Sequence, residues 1–555
     1  MADDADTVLR TTQRAPKSCQ SCASRKVKCN KSVPCSTCIR RGEAEKCARE
    51  TVIVRGEVTR AEDSAKTPSY QDLMRENERL RSALTAQTNG SHVHQNIQMG
   101  PLRKLRKPQH LLECHDVLEE ILFEPPPATQ RRARIRSWEQ IRPPSRRASE
   151  GLVAYDEKWN SWVHYALEYP HFHKEHAEFM GSLDRGVTLM DYDSAWLSVY
   201  FSMITAALLM MDSQEASSIL GPDHQEILEN WYEAALFCLG QSELMRTNNI
   251  RVVQAVAVLG ICFYNFGDAE LSQHLWSCAI RIAQNLGLDG SRPGRIPKEI
   301  GQEAQCRLWW TLMICEWLVV PYHVPQVDEG DFDVALPSMD PGPGLPGGIQ
   351  PVQYHTFMAR SSIVYHRFRS ALREGTRPVS EVVRLADAEL AEVINTLPEH
   401  LHPDGGQNEE MNELEREHPW IKWQRFDISL VLLYHRMRIN RSLQRDWKAS
   451  PGQHEWARTV CIRSAMDIIW IIHNWDQPAA MKRHWPFSSY IFVGVIFLLR
   501  ESCAGGSGEH VDFSDEVRRG IEYLDEVKSH NAIAYRAAAV LRRSVEQLRI
   551  GNLEP

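Results

Sequence analysis

The chain has few of the features that mark a membrane, secreted or catalytic protein. Its longest uncharged apolar-rich stretch, Ala195 to Met211, runs 17 residues and includes two Ser and one Thr. That falls short of the ~20 residues that span a bilayer, so a buried helix is expected there and no membrane partner. The start, Met1-Ala-Asp-Asp-Ala-Asp6, is acidic and lacks the apolar core of a secretory signal, which points to a reducing compartment where clustered cysteines hold metal. No P-loop, no G-x-S-x-G elbow and no G-x-G-x-x-G after a strand occurs, and strand-like alternation is scarce. His164, His171, His173 and His176 gather near Pro170 without the i, i+4 pairing of a helical metal site. They read as packing or surface residues, and Pro170 as an interruption.

What is present is unevenly distributed. The 555 residues carry a net charge of −8, which read alone argues against a polyanionic partner. Residues 1–150, however, hold 28 Lys and Arg against 19 Asp and Glu, whereas residues 151–555 hold 36 against 53. A basic segment able to face nucleic acid is thus attached to an acidic body. Between Lys17 and Arg41 there are seven basic side chains (Lys17, Arg25, Lys26, Lys28, Lys31, Arg40 and Arg41) and no acidic one.

The cysteines are uneven too. Of 14, six fall between Cys19 and Cys47 with the spacing C-x2-C-x6-C-x5-C-x2-C-x8-C. Two CxxC pairs without histidine favour structural zinc in tetrahedral thiolate sites. Six thiolates serve two Zn2+ only if two of them bridge both metals. A segment this small cannot fold on apolar burial alone, so metal binding supplies its folding energy.

The six-cysteine pattern resembles the fungal Zn(2)-Cys(6) binuclear-cluster transcription factors. The resemblance implies that Cys19 and Cys35 bridge, that Cys22 and Cys29 complete one zinc site and that Cys38 and Cys47 complete the other. Pro34 stands where that family places a turn-fixing proline. The resemblance also implies that the short helix after the second cysteine enters the major groove at a CGG triplet, with Arg25 and Lys26 at the reading positions, where guanine O6 and N7 are the expected targets. Lys17, Lys28, Lys31, Arg40 and Arg41 are expected on phosphates, which position the module without reading sequence.

Beyond the cluster, residues 49–68 show no sustained periodicity and read as a linker. Over 69–88, Tyr70, Asn77 and Leu84 fall at heptad position a, with Leu73, Leu80 and Gln87 at d. A polar Asn at a favours a parallel two-stranded coiled coil. Residues Tyr70, Leu73, Asn77, Leu80 and Leu84 are therefore the candidate homodimer seam. Residues 89–150 read as a mostly disordered basic and Pro-rich linker. It holds one helical island at Leu111–Phe123 and two basic runs, 103–107 and 131–136, that could serve nuclear import. Arg146-Arg147-Ala148-Ser149 resembles a basophilic kinase site.

From 151 to 555 the pattern is long amphipathic helices, giving an all-α fold class with the zinc module at 17–48 after a disordered N-terminus at 1–16. Asp268–Gly287 is representative: Leu271, Leu275, Ala279, Ile282 and Leu286 form one stripe and Gly287 is placed to end the helix. Val252–Asn265, Ala279–Leu288 and Cys306–Leu312 with its Trp309-Trp310 pair resemble the fungal-specific transcription-factor regulatory domain, as does the acidic loop Asp328–Asp333. The paired tryptophans are expected to pack. Where that family commonly continues with Gly-Arg-Pro, this chain has Pro321-Tyr-His-Val-Pro325.

Together these features predict a nuclear, zinc-dependent, sequence-specific DNA-binding transcription regulator with no catalytic residues. It is expected to be an activator of a metabolic pathway such as a secondary-metabolite gene cluster, binding double-stranded DNA as a homodimer and answering to coregulators or a small-molecule effector. The alternative is an α-helical metabolite-binding protein or enzyme carrying a degenerate zinc module.

Overall fold

The computed structural model describes residues 11–12, 16–31, 33–54, 57–60, 118, 121–123, 132–292, 300–319, 324–338, 344–403, 405, 409–450, 452–477, 479–503 and 512–551. The candidate dimer seam, Tyr70, Leu73, Asn77, Leu80 and Leu84, lies outside these residues, as does the basic run 103–107. The chain divides into two compact units, residues 1–95 and 96–555.

The first unit contains two five-residue helices, α1 (Gln20–Ser24) and α2 (Ser36–Arg40), and three short strands. Strand β1 (Thr11–Thr12) pairs in parallel with β2 (Thr51–Val54), which pairs antiparallel with β3 (Glu57–Arg60) in the register Thr51↔Arg60 to Val54↔Glu57. The supposed linker at 49–68 thus begins with a hairpin. Its signal is the β-branched run Thr-Val-Ile-Val followed, two residues later, by a second strand, with Gly56 in between. A four-residue strand is too short for periodicity to reveal.

The regular elements of the second unit are helices among its described residues. The apolar run noted above forms the helix Ser194–Met210, and every residue from Ala195 to Met210 is buried. Asp193 starts it by accepting from the backbone N–H groups of Ala195 and Trp196. Its hydroxyls find partners inside the helix: Ser198 donates to the Ala195 carbonyl, Ser202 to Ser198 and Thr205 to Phe201, at 2.6–2.7 Å. That satisfaction lets an almost wholly apolar helix sit at the core, where it packs against Arg146–Trp159, His224–Gln241 and Ile250–Leu259. Among the described residues no helix is long and apolar enough to cross a membrane.

In the C-terminal half, Trp420–Arg441 plays the equivalent part, packed against Glu455–Asn474, Pro351–Glu374 and Val379–Asn395. Trp485–Cys503, Ser514–Val527 and Ala532–Gly551 close that end. The last two are separate helices because Asn531 caps a new start by accepting from the N–H groups of Ile533 and Ala534. Gly287 ends Ala269–Leu286 as expected: its φ is +83°, and a Cβ there would meet the Arg292 carbonyl oxygen at 2.6 Å.

Four expectations for this unit change. The body starts before residue 151, since Ile141 is buried and the first long helix opens at Arg146, capped by Ser145. Within the basic run 131–136, Arg132 donates to the Phe266 carbonyl at 2.8 Å, pairs with Glu233 and Asp268, and lies over the Tyr232 and Phe266 rings. Leu118, Ile121 and Leu122 of the helical island are in the core, where Arg536 donates to the Ile121 carbonyl. Pro170 opens the helix Tyr169–Asp184 instead of interrupting one, as fits a first-turn position that needs no N–H partner.

Candidate zinc centre and nucleic-acid interface

The two CxxC pairs are built alike. Cys19 is the N-cap of α1 and its Sγ accepts from the Cys22 N–H at 3.4 Å; Cys35 is the N-cap of α2 and accepts from the Cys38 N–H at the same distance. Each CxxC therefore sets one sulfur at a helix start and the next one turn in, on the same side. Cys35 also donates its backbone N–H to Cys47 Sγ at 3.1 Å, and Lys31 donates its own to Cys29 Sγ at 3.4 Å. The Val33–Pro34 peptide is cis. Side chains that sequence reasoning passed over hold the intervening loop. Asn30 accepts from the Ser36 N–H, Thr37 donates to the Lys28 carbonyl, and Arg49 donates to the Lys31 carbonyl at 2.6 Å.

The six sulfurs form two groups of four, Cys19–Cys22–Cys29–Cys35 and Cys19–Cys35–Cys38–Cys47, each with its sulfurs within 4.8 Å of one another. Cys19 and Cys35 belong to both, 3.7 Å apart and fully buried. Separations of 3.5–3.7 Å rule out disulfides, which need ~2.05 Å, and all six cysteines are free. They match instead the ~3.8 Å edge of a tetrahedron built on Zn–S bonds of ~2.3 Å. Without metal the thiols do not favour six charges at once: burial pushes Cys22, Cys38 and Cys47 up to about 12. The donor set therefore fits two zinc ions, which supply the charge that keeps six buried thiolates together.

Around this centre Lys17, Arg25, Lys26, Lys28, Lys31, Arg40 and Arg41 are all exposed. Arg25 ends α1, and Lys26 follows at a φ of +53°, so consecutive side chains leave the helix end in different directions. Lys26 makes no side-chain hydrogen bond or ion pair among the described residues. Arg25 does, with Glu43: its Nη1 donates to Oε2 at 2.5 Å and its Nη2 to Oε1 at 2.8 Å.

In the body, the residues once grouped as a histidine cluster are dispersed into pairs. His164 is buried between Asp156 at 3.1 Å and the Ala166 N–H, whereas His173 faces Glu157 at the surface. Ser149 is wholly buried, its hydroxyl shared with His176 at 2.7 Å and Tyr200 at 2.6 Å. The kinase-site resemblance is overturned by that burial, since no kinase can reach the hydroxyl in the folded chain. Trp309 and Trp310 are buried with their edges against Phe332, and Trp310 Nε1 donates to the Ala335 carbonyl. The acidic loop that follows is anchored by Glu329 on Arg367.

A binuclear thiolate centre ringed by exposed basic residues, on a chain with a helical body, defines a zinc-dependent DNA-binding regulator. Comparison with known proteins agrees. The fungal Zn(2)-Cys(6) binuclear cluster domain matches residues 17–52, and the fungal specific transcription factor domain matches residues 161–338. The "Probable transcription factor lepB" of Aspergillus flavus is 21% identical over 454 residues, covering 74% of this chain and 78% of that protein. The "Aurofusarin cluster transcription factor aurR2" of Gibberella zeae is 22% identical over 316 residues, 54% of this chain and 44% of that protein. Among solved structures, "Structure of the K. lactis CBF3 core" aligns with a TM-score of 0.52 at 12% identity, over 79% of this chain and 90% of that one, a likeness of fold.

The chain thus carries a fungal Zn(2)-Cys(6) binuclear cluster domain and a fungal specific transcription factor domain. It is a DNA-binding transcription regulator with two zinc ions as cofactor, and not an enzyme.

Proposed function

We propose that this regulator reads CGG-type half-sites in duplex DNA with Arg25 and Lys26, while Lys17, Lys28, Lys31, Arg40 and Arg41 hold the phosphates. Cys19 and Cys35 bridge the two zinc ions; Cys22 and Cys29 complete one site, Cys38 and Cys47 the other. The observation carrying the reading is the pair of four-sulfur groups sharing Cys19 and Cys35, which makes the metal centre the folding core of a module whose exposed side chains are basic. Zinc supplies the structure there, and the chain's own residues make the contacts: Lys26 is free to reach a base edge, and the five outer cations neutralise phosphate.

The regulator acts in the nucleus as a homodimer joined through residues 69–88, which places two modules on two half-sites. Its targets are genes of a biosynthetic cluster. Support for this comes from the similarity to an aurofusarin cluster regulator and from the heptad pattern. It activates those genes, and its helical body, net acidic and so repelled by phosphate, meets coregulators or a small-molecule effector.

The test is selection of bound duplexes from a random pool by the full-length, zinc-loaded chain. Enrichment of paired CGG triplets at a fixed spacing is expected. Enrichment of sites without CGG refutes base reading by Arg25 and Lys26, and single unpaired triplets refute the dimer.

A further inference from the structure

One of the two side chains assigned to base reading is already occupied. Arg25 Nη1 and Nη2 donate in parallel to the two carboxylate oxygens of Glu43, at 2.5 and 2.8 Å. Those are the two donors that a guanine's O6 and N7 would take, because the guanidinium fork fits a carboxylate and a guanine edge in the same way. Arg25 can serve one partner or the other, not both. Glu43 is held in place for this by its own position just after α2, where its backbone N–H donates to the Cys38 carbonyl at 2.9 Å. The pairing holds its carboxyl below the usual range through the Arg25 hydrogen bond. Lys26, one residue on, has no such competitor among the described residues.

We propose that Glu43 is a specificity-determining residue: it competes with DNA for Arg25 and releases it only to a guanine. The inference rests on the reading of Arg25 as a base contact. The side chains of Arg25 and Glu43 are 39% and 35% exposed, so the pair exchanges with outside partners at a cost of only about 1.5- to 5-fold. A bidentate guanine contact repays that with roughly 5- to 150-fold in discrimination. Away from a guanine the balance reverses. Non-specific affinity comes from neutralising phosphates and releasing their counterions, and an arginine already neutralised by Glu43 releases none. Glu43 therefore weakens binding to the wrong sequence more than to the right one, and it is the first acidic residue after Asp6, residues 7–42 having none.

The experiment compares wild type, Glu43→Gln, Arg25→Ala and the double variant. Each is full-length and zinc-loaded, and each is titrated with a CGG-bearing duplex and a scrambled duplex over a salt series. Glutamine keeps the shape and one acceptor, and two bound zinc ions verify that the module is intact. Glu43→Gln is expected to tighten the scrambled duplex by about 3- to 10-fold and steepen its log K–log salt slope by about one, while the CGG duplex regains only the exchange cost of about 1.5- to 5-fold at an unchanged slope. In the Arg25→Ala background the same change should leave the ratio between duplexes untouched. If Glu43→Gln weakens both duplexes alike, Glu43 is a structural brace and the proposal is overturned; an equal gain on both, with or without Arg25, makes it a general charge and overturns it too. If Arg25→Ala lowers the ratio while Glu43→Gln does not, the base-contact reading stands and only Glu43's role fails. An unchanged ratio in Arg25→Ala refutes both.

Discussion

Removing one sulfur from the zinc centre separates a shared ligand from an unshared one. Cys35 lies in both four-sulfur groups, is fully buried and caps α2, whereas Cys29 lies in one group and is half-buried. Cys35→Ala leaves three sulfurs for each metal and takes the cap from a five-residue helix that cannot persist unaided. Cys29→Ala leaves Cys19, Cys35, Cys38 and Cys47 as a complete tetrahedral set. A structural zinc contributes roughly 10–16 kcal/mol of binding free energy that is folding free energy, far above what a core of five buried cysteines provides by apolar burial. Cys35→Ala is therefore expected to bind no zinc stably and to lose DNA binding altogether. Cys29→Ala should keep one zinc and part of its fold. Native mass spectrometry of the full chain counts the metals, and a CGG duplex shift reads the function. Two zinc ions retained by Cys35→Ala, or equal losses in the two variants, would refute the shared-bridge reasoning.

Other perturbations test different links. Lys26→Ala should lower discrimination against non-CGG duplexes by about 1–3 kcal/mol, whereas Arg41→Ala should weaken all duplexes alike and flatten the salt slope by about one, both read in competition titrations. Ser149→Asp places a charge between His176 and Tyr200 in a fully buried site and should destabilise the body by several kcal/mol, seen as a lowered melting temperature; wild-type stability would refute the burial. Asp427 is buried beside the Tyr354 hydroxyl, and burial raises its pKa to about 7 from an ordinary 3.8. The folded state thus holds a proton that the unfolded chain releases, so this group's contribution to stability is full below pH ~4 and is lost as pH rises through about 7. Asp427→Asn should match wild type in melting temperature at pH 5.5 more closely than at pH 8, where the variant should be the more stable. A variant less stable at pH 8 than at pH 5.5, relative to wild type, counts against it.

The zinc centre was legible because its chemistry is written in spacing. Two CxxC pairs fix which sulfurs share a helix end, and a short metal-built module leaves little else for the sequence to decide. Glu43 was not legible. It lies 18 residues from Arg25 in the chain and meets it only because the two halves of the module fold together, so nothing local marks it. The body shows the same division. Ser194–Met210 and Ala269–Leu286 follow from apolar content, a stripe and a terminal glycine, whereas Arg146–Trp159 and Tyr169–Asp184 were obscured by charge and by a proline that begins a helix. The basic segment at 132–136 misled for a related reason. Composition treats Arg132 as a solvated charge, but Glu233, Asp268 and two aromatic rings from elsewhere in the fold receive it.

That distinction bears on how charge should be read along this chain. Of the basic side chains in the first 150 residues, Arg132 is neutralised by the body and Arg25 by Glu43, so neither adds to the field that a distant phosphate meets. Between Lys17 and Arg41, six exposed cations remain besides Arg25. On the proposed roles, six of the seven cations between Lys17 and Arg41 draw DNA in and Arg25 is kept for the right sequence. The salt dependence of scrambled-duplex binding should accordingly track no more than about six neutralised phosphates per module, a slope near −5. A slope steeper by a full unit in the wild-type protein would mean that Arg25 is already on the phosphates and that Glu43 withholds nothing.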